Sequence, residues 1–102
     1  MGKFVCARPV HPGEILKEEI EYRGISQSKL AAQMDISYNE LNQILNERRS
    51  LTSQTAMMFE AALGISANLL ISMQTDSDIQ VLSRDKSFSE KLDKIRKAVA
   101  MP

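Results

Sequence analysis

Apolar residues recur at helical spacing along most of the chain, and turn-forming or capping residues separate the runs. Between residues 12 and 23, Ile15, Leu16 and Ile20 form one apolar stripe, and Gly24 follows as a typical helix end. Four hydroxyl residues, whose side chains can accept free backbone N–H groups, precede the next four helical patterns: Ser26, Ser37, Thr52 and Ser66. The pattern predicts an all-α fold with five helices between residues 12 and 75.

The chain divides into three predicted parts. Residues 1–11 show no periodicity and are predicted to form an extended arm, and residues 12–75 form the five-helix domain. After Gln74 the run from Thr75 to Asp78 is predicted to be a linker, and residues 79–102 to hold a short extended piece (Ile79, Val81) and then an amphipathic helix opened by the pair Ser87 and Glu90; the linker and this helix make up the third part, residues 76–102. That helix carries an apolar stripe, the candidate dimer interface: Phe88, Leu92, Ile95 and Val99. A fold of this stripe back onto its own domain is the alternative.

Composition narrows the class of protein. The 102 residues, 43% of them hydrophobic, can supply one modest core, and no apolar run is long enough to cross a bilayer or form a signal peptide. We therefore expect one cytoplasmic domain without membrane contact. The 13 basic and 13 acidic residues cancel, so binding to nucleic acid must come from a local surface rather than from bulk charge.

The predicted third helix has an unusual polar face. Its buried face is formed by Leu41, Ile44 and Leu45. The opposite face carries four amides and no charge: Asn39, Asn42, Gln43 and Asn46. Asparagine is a poor helix former, but an amide matches the N6 and N7 edge of adenine in the major groove. Ordinary surface amides are the alternative; the short preceding helix and tight turn favour a recognition helix.

Candidate phosphate contacts lie on both sides of this helix. Gln27 and Ser28 stand at the start of the second helix, where free N–H groups favour an anion. Arg48 and Arg49 follow the third helix and could hold the DNA backbone there. Two arginines in a solvated loop are the other interpretation.

At this point the chain resembles the Xre-type (Cro/C1-like) helix-turn-helix family. The likeness rests on the run Ile25–Ala31 and on Ile36–Ser37. The chain further resembles the HigA/VapI antitoxins through several short motifs: His11–Leu16, Asn46–Arg49, Leu51–Thr52, Thr55–Ala56, Leu63–Ser66 and Gln74. The likeness covers residues 9 to about 75.

The resemblance implies a lambda-repressor-like domain that binds its own operator as a homodimer. It also implies a cognate toxin, a protein that cleaves messenger RNA and that the antitoxin neutralises, and it implies no cofactor. Base contacts are expected at four positions: Tyr38, Asn39, Asn42 and Gln43. Phosphate contacts are expected at five others: Gln27, Ser28, Asn46, Arg48 and Arg49. The chain departs from the family at Asp35 and Glu47, where glycine is common, and at Leu70, where tryptophan is frequent.

Other functions find less support in the sequence. The only histidine, His11, and the only cysteine, Cys6, form neither a metal-ligand cluster nor a catalytic set, so we expect no metal and no enzyme. A protein-binding adaptor without specific DNA recognition, or a stand-alone Xre-type repressor, remains an alternative. The first helix carries four glutamates that are either a solvated face or a docking surface for a basic toxin: Glu14, Glu18, Glu19 and Glu21.

Overall fold

The computed structural model describes residues 10–100, and all regular structure in this part of the chain is helical. The six helices are α1 (Pro12–Tyr22), α2 (Gln27–Met34), α3 (Tyr38–Leu45), α4 (Ser53–Leu63), α5 (Ala67–Ser83) and α6 (Lys86–Ala100). The expected all-α fold, a five-helix domain with a C-terminal helical extension, is confirmed. Most of the predicted arm lies outside the described residues.

The predicted helix starts are confirmed at all four hydroxyl residues. The side-chain oxygens of Ser26, Ser37, Thr52 and Ser66 each accept a backbone N–H three residues further on. The start of α1 is different, because Nδ1 of His11 accepts the N–H of Gly13 at 2.9 Å. His11 is therefore a buried helix cap.

Two helices end on a non-glycine residue in the left-handed conformation. Asp35 ends α2 with φ 59°, and Glu47 follows the α3 cap with φ 63°. After Asp35, the N–H of Ile36 donates to the Ala31 carbonyl, and after Glu47 the N–H of Arg48 donates to the Gln43 carbonyl. These bonds close the C-terminal turn usually formed with glycine, since glycine adopts positive φ without steric cost.

Helices α1 to α5 share one core. Its largest fully buried side chains include Phe59 on α4, Leu16 on α1 and Leu70 on α5, and α2 and α3 contribute Leu30 and Leu41. Leu70, which stands where tryptophan is frequent in the family, is a fully buried core residue. Helix α5 thus completes the core, and the core packs against the buried face of α3.

The predicted linker is wrong, because α5 continues through residues 75–78 to Ser83. Nε2 of Gln74 donates to Oδ1 of Asp78 at 2.9 Å, one helical turn apart, and such a pair stabilises a helix. The predicted extended piece at Ile79 and Val81 is therefore helical.

The predicted capping pair Ser87 and Glu90 is also wrong. Helix α6 already includes Lys86, and Oδ1 of Asp85 accepts the N–H of Phe88 at 3.0 Å. An aspartate caps a helix as well as serine does, so the earlier residue serves as the cap.

The second half of α5 and α6 project from the core. The radius of gyration is 17.3 Å, against roughly 13 Å for a compact domain of 100 residues. Helix α6 packs against α5 and has no buried residue. None of the helices within residues 10–100 is long and apolar enough to cross a membrane.

Candidate nucleic-acid interface

The α2–turn–α3 unit is held rigidly by apolar packing. Leu30, Ala31 and Met34 are buried on α2, and α3 buries Leu41, Ile44 and Leu45, the face that the sequence predicts. Residues 35–37 connect the two helices in one tight turn. The position of α3 is therefore determined by the core rather than by flexible loops.

The outer face of α3 carries the amides, but they do not share one environment. Asn39 and Asn46 are exposed, and Tyr38 at the helix start is 52% exposed. Asn42 and Gln43 are half-buried. The accessible positions of this face are therefore Tyr38 and Asn39 at the helix start and Asn46 at its end.

Hydrogen bonds connect the polar face of α3 to the neighbouring helices. Nδ2 of Asn42 donates to Oε1 of Gln27 on α2 at 3.3 Å, and Nδ2 of Asn46 donates to the Asn42 carbonyl at 2.8 Å. Nζ of Lys17 on α1 donates to Oδ1 of Asn46 at 3.3 Å. The structure thus brings together Gln27, Asn42 and Asn46 and adds Lys17, which no local sequence pattern indicated because its contact spans 29 positions of the chain.

The loop after α3 is anchored at both ends. The N–H of Arg48 donates to the Gln43 carbonyl at 2.8 Å, and the N–H of Leu51 donates to Oε1 of the buried Gln74 at 2.9 Å. Between these anchors, Nε of Arg49 donates to Oε1 of Gln43 at 3.0 Å. Arg48 and Arg49 are exposed, and their backbone is held beside the C-terminal end of α3.

A close approach between α1 and α3 explains a glycine in the first turn of α1. A Cβ atom on Gly13 would overlap the carbonyl oxygen of Ile44. Glycine is a poor helix former, so its place inside a helix is the signal that could have indicated such an approach. Gly13 lets α1 support the C-terminal end of α3.

The glutamates of α1 do not form one uniform acidic surface. Oε2 of Glu19 pairs with Nε of Arg23 at 2.6 Å, and Nη2 of Arg23 also donates to the Leu63 carbonyl at 2.9 Å. Glu18 and Glu21 are exposed, whereas Glu14 is half-buried. An acidic surface on α1 is therefore reduced to Glu18 and Glu21.

Of the two residues considered for catalysis, His11 is 9% exposed and caps α1, and Cys6 lies outside the described residues. Among residues 10–100, no group of three or more His, Cys, Asp or Glu side chains could hold a metal ion.

A short helix, a left-handed turn and a second helix with an exposed polar face define the helix-turn-helix class of DNA-binding proteins. A family profile described as Helix-turn-helix matches residues 16–70. Virulence-associated protein I of Dichelobacter nodosus is 36% identical over 78 residues, which cover 76% of this chain and 72% of that protein. The chain therefore belongs to the Xre-type helix-turn-helix family, which consists of DNA-binding regulators rather than enzymes.

Solved structures agree with this assignment. An addiction module antidote protein of the HigA family from Coxiella burnetii has a TM-score of 0.70 and 32% identity, over 93% of this chain and 98% of that chain. The Pseudomonas aeruginosa antitoxin HigA, solved with the higBA promoter, has a TM-score of 0.70 and 26% identity, over 86% and 91% of the two chains. The expected resemblance to the HigA/VapI antitoxins is confirmed.

Proposed function

We propose that this protein is the antitoxin of a type II toxin–antitoxin module and represses its own operon by placing α3 in the major groove of operator DNA. The observation that carries the proposal is the rigid α2–turn–α3 unit with the exposed Tyr38 and Asn39 at the start of α3. In helix-turn-helix proteins the N-terminal residues of the second helix contact base edges. The antitoxin HigA of Pseudomonas aeruginosa was solved with the higBA promoter, and this likeness supports DNA binding by the present chain.

The side chains divide into two groups by their place around α3. We assign base contacts to the residues that follow the α3 start: Tyr38, Asn39, Asn42 and Gln43. We assign phosphate contacts to residues at the edges of that face: Gln27, Ser28, Asn46, Arg48 and Arg49. Phosphate contacts position a protein on DNA, whereas base contacts specify the sequence.

Binding to the DNA upstream of the protein's own gene tests this assignment. We expect specific binding in a gel shift with excess random competitor DNA. Arg48→Ala should weaken binding to all sequences alike and reduce the salt slope by about one unit for the lost phosphate contact. An unchanged slope would exclude Arg48 from the interface. Equal affinity of the unsubstituted protein for upstream and random DNA would contradict operator recognition.

We further propose that the protein binds its operator as a two-fold homodimer. One recognition helix reads only a few base pairs, and half-sites about 34 Å apart multiply the discrimination. The projecting part of the molecule supports α6 as the interface, because Ile95 is 49% and Val99 80% exposed. Phe88 and Leu92, which belong to the same stripe, are half-buried. Covering this stripe would remove apolar surface from water.

Neutralisation of an mRNA-cleaving toxin completes the proposal, and both proteins would act in the cytoplasm. The support is the likeness to an addiction module antidote protein and the exposed Glu18 and Glu21 on α1. The test is co-expression with the product of the neighbouring reading frame. We expect the antitoxin to co-purify with that product and to restore growth. Operator binding without either effect would make the protein a stand-alone Xre-type repressor.

A further inference from the structure

The contact between Arg49 and Gln43 joins a residue assigned to phosphate with a residue assigned to a base. Nε of Arg49 donates to Oε1 of Gln43 at 3.0 Å. Arg48, the neighbouring arginine, is exposed and contacts Gln43 through its backbone N–H. The two arginines therefore stand in different relations to the recognition helix.

The fold holds Arg49 beside Gln43. The backbone before it is bonded to the Gln43 carbonyl through Arg48, and the backbone after it is bonded to Gln74 through the N–H of Leu51. Asp35 and Glu40 line the same surface cavity as Arg49. Because opposite charges attract, these carboxylates make the surroundings of the guanidinium electrostatically favourable.

The hydrogen bond from Arg49 to Gln43 determines which atoms of the Gln43 amide are turned toward a base. A glutamine amide can donate through Nε2 or accept through Oε1, but an arginine can only donate. Arg49 therefore occupies one of the two lone pairs of Oε1 and turns this oxygen toward the loop, so that the two hydrogens of Nε2 are the groups turned toward a base. In the major groove, guanine presents two acceptors, N7 and O6, whereas adenine requires the amide oxygen for its N6 group.

We infer that Arg49 is a positioning residue that sets the hydrogen-bonding direction of Gln43, so that Gln43 recognises guanine rather than adenine. This inference rests on the proposed function and deepens it. It changes the expectation for Gln43, since a freely rotating amide matches adenine. It also separates Arg49 from Arg48, whose role is confined to phosphate.

The test measures binding to duplexes of the upstream DNA in which each base pair is changed in turn. The position read by Gln43 is the one at which Gln43→Ala abolishes the preference. There, the unsubstituted protein should prefer G·C to A·T at least about fivefold. Arg49→Ala should lower this ratio at least about fivefold, whatever it does to total affinity. Arg48→Ala is the matched control and should leave the ratio unchanged while it weakens binding to every duplex.

A measurement without DNA keeps the inference independent of the operator. Side-chain relaxation by nuclear magnetic resonance should find the Gln43 amide ordered in the unsubstituted protein and in Arg48→Ala, and mobile in Arg49→Ala.

Three results would contradict the inference. An A·T preference at this position, or an unchanged ratio in Arg49→Ala, would overturn the role of Arg49 and leave operator recognition intact. Equal binding to all duplexes by the unsubstituted protein would overturn operator recognition as well.

Discussion

Single residues around α3 determine what this surface can recognise. Asn39 is exposed in the first turn of α3, whereas Asn42 and Gln43 are half-buried and bonded to Gln27 and Arg49. An amide that is already hydrogen-bonded within the protein has fewer free donors and acceptors for a base edge. Asn39 is therefore the amide best placed for direct readout without prior rearrangement.

Asn39→Ala should weaken specific binding by about 1 to 3 kcal/mol, because one base edge would be left unread. Folding should barely change, since the side chain is exposed. Titrations of operator and random DNA measure the two affinities, and circular dichroism checks the fold. An equal loss on both DNAs would assign Asn39 to the DNA backbone instead of a base.

Glu47, at the end of α3, is unfavourable both for the stability of the fold and for DNA binding. Its φ of 63° costs a non-glycine residue about 1 kcal/mol, and its carboxylate would lie near phosphate in the proposed complex. Glu47→Gly should therefore raise the free energy of unfolding by about 1 kcal/mol and should also increase DNA affinity. Thermal unfolding and gel-shift titration measure the two effects.

Glu47→Gln is the matched control, because it removes the charge but keeps a non-glycine side chain at the same φ of 63°. It should raise DNA affinity without raising the free energy of unfolding. If Glu47→Gln leaves DNA affinity unchanged, the gain in Glu47→Gly comes from stability and not from the removed charge.

At the scale of the elements, α3 depends on contacts with α1 and α5 that are distant in the chain. Gly13 permits α1 to approach the Ile44 carbonyl, and Gln74 on α5 accepts the N–H of Leu51. These contacts hold the recognition helix and its following loop from two sides. Substitutions there should alter DNA binding although the residues lie outside the proposed interface.

Gln74→Ala should destabilise the fold by about 1 to 3 kcal/mol, because the backbone N–H of the buried Leu51 would lose its acceptor. Denaturant unfolding gives this value. Asp78→Ala removes only the other bond of Gln74, and Asp78 is exposed, so it should cost less. A similar loss in both variants would show that the bond to Leu51 is not the important one.

At the scale of the whole molecule, the five-helix domain and the projecting α6 differ in how far they are buried. The core closes within α1 to α5, whereas α6 contributes no buried residue. Loss of α6 should therefore spare the fold and affect assembly. Since α5 extends to Ser83, a cut after Arg84 respects the helix boundaries.

Truncation after Arg84 should leave a folded monomer that binds the operator more weakly than the full chain. Sedimentation measures the mass, and a gel shift measures the binding. In the full chain, Ile95→Asp should also give a folded monomer with weaker operator binding. Lys94→Asp, on the side of α6 away from the apolar stripe, should leave the dimer intact. A dimeric truncated protein would place the interface elsewhere.

Local patterns in the sequence were sufficient for much of the fold. Helix starts at Ser26, Ser37, Thr52 and Ser66 and the left-handed Asp35 follow from interactions within a few residues. The apolar faces followed from periodicity, and the family from short motifs. The prediction of a linker around residues 75–78 was wrong, because polar composition does not distinguish a loop from an exposed helix.

The arrangement of the recognition surface was decided by tertiary structure. Lys17 meets Asn46 across 29 positions, Gln74 meets Leu51 across 23, and Gly13 meets Ile44. No local pattern encodes these pairs, because each depends on how the helices pack. The sequence determined which helices form and which face of α3 is polar; packing determined which of its amides have partners within the protein.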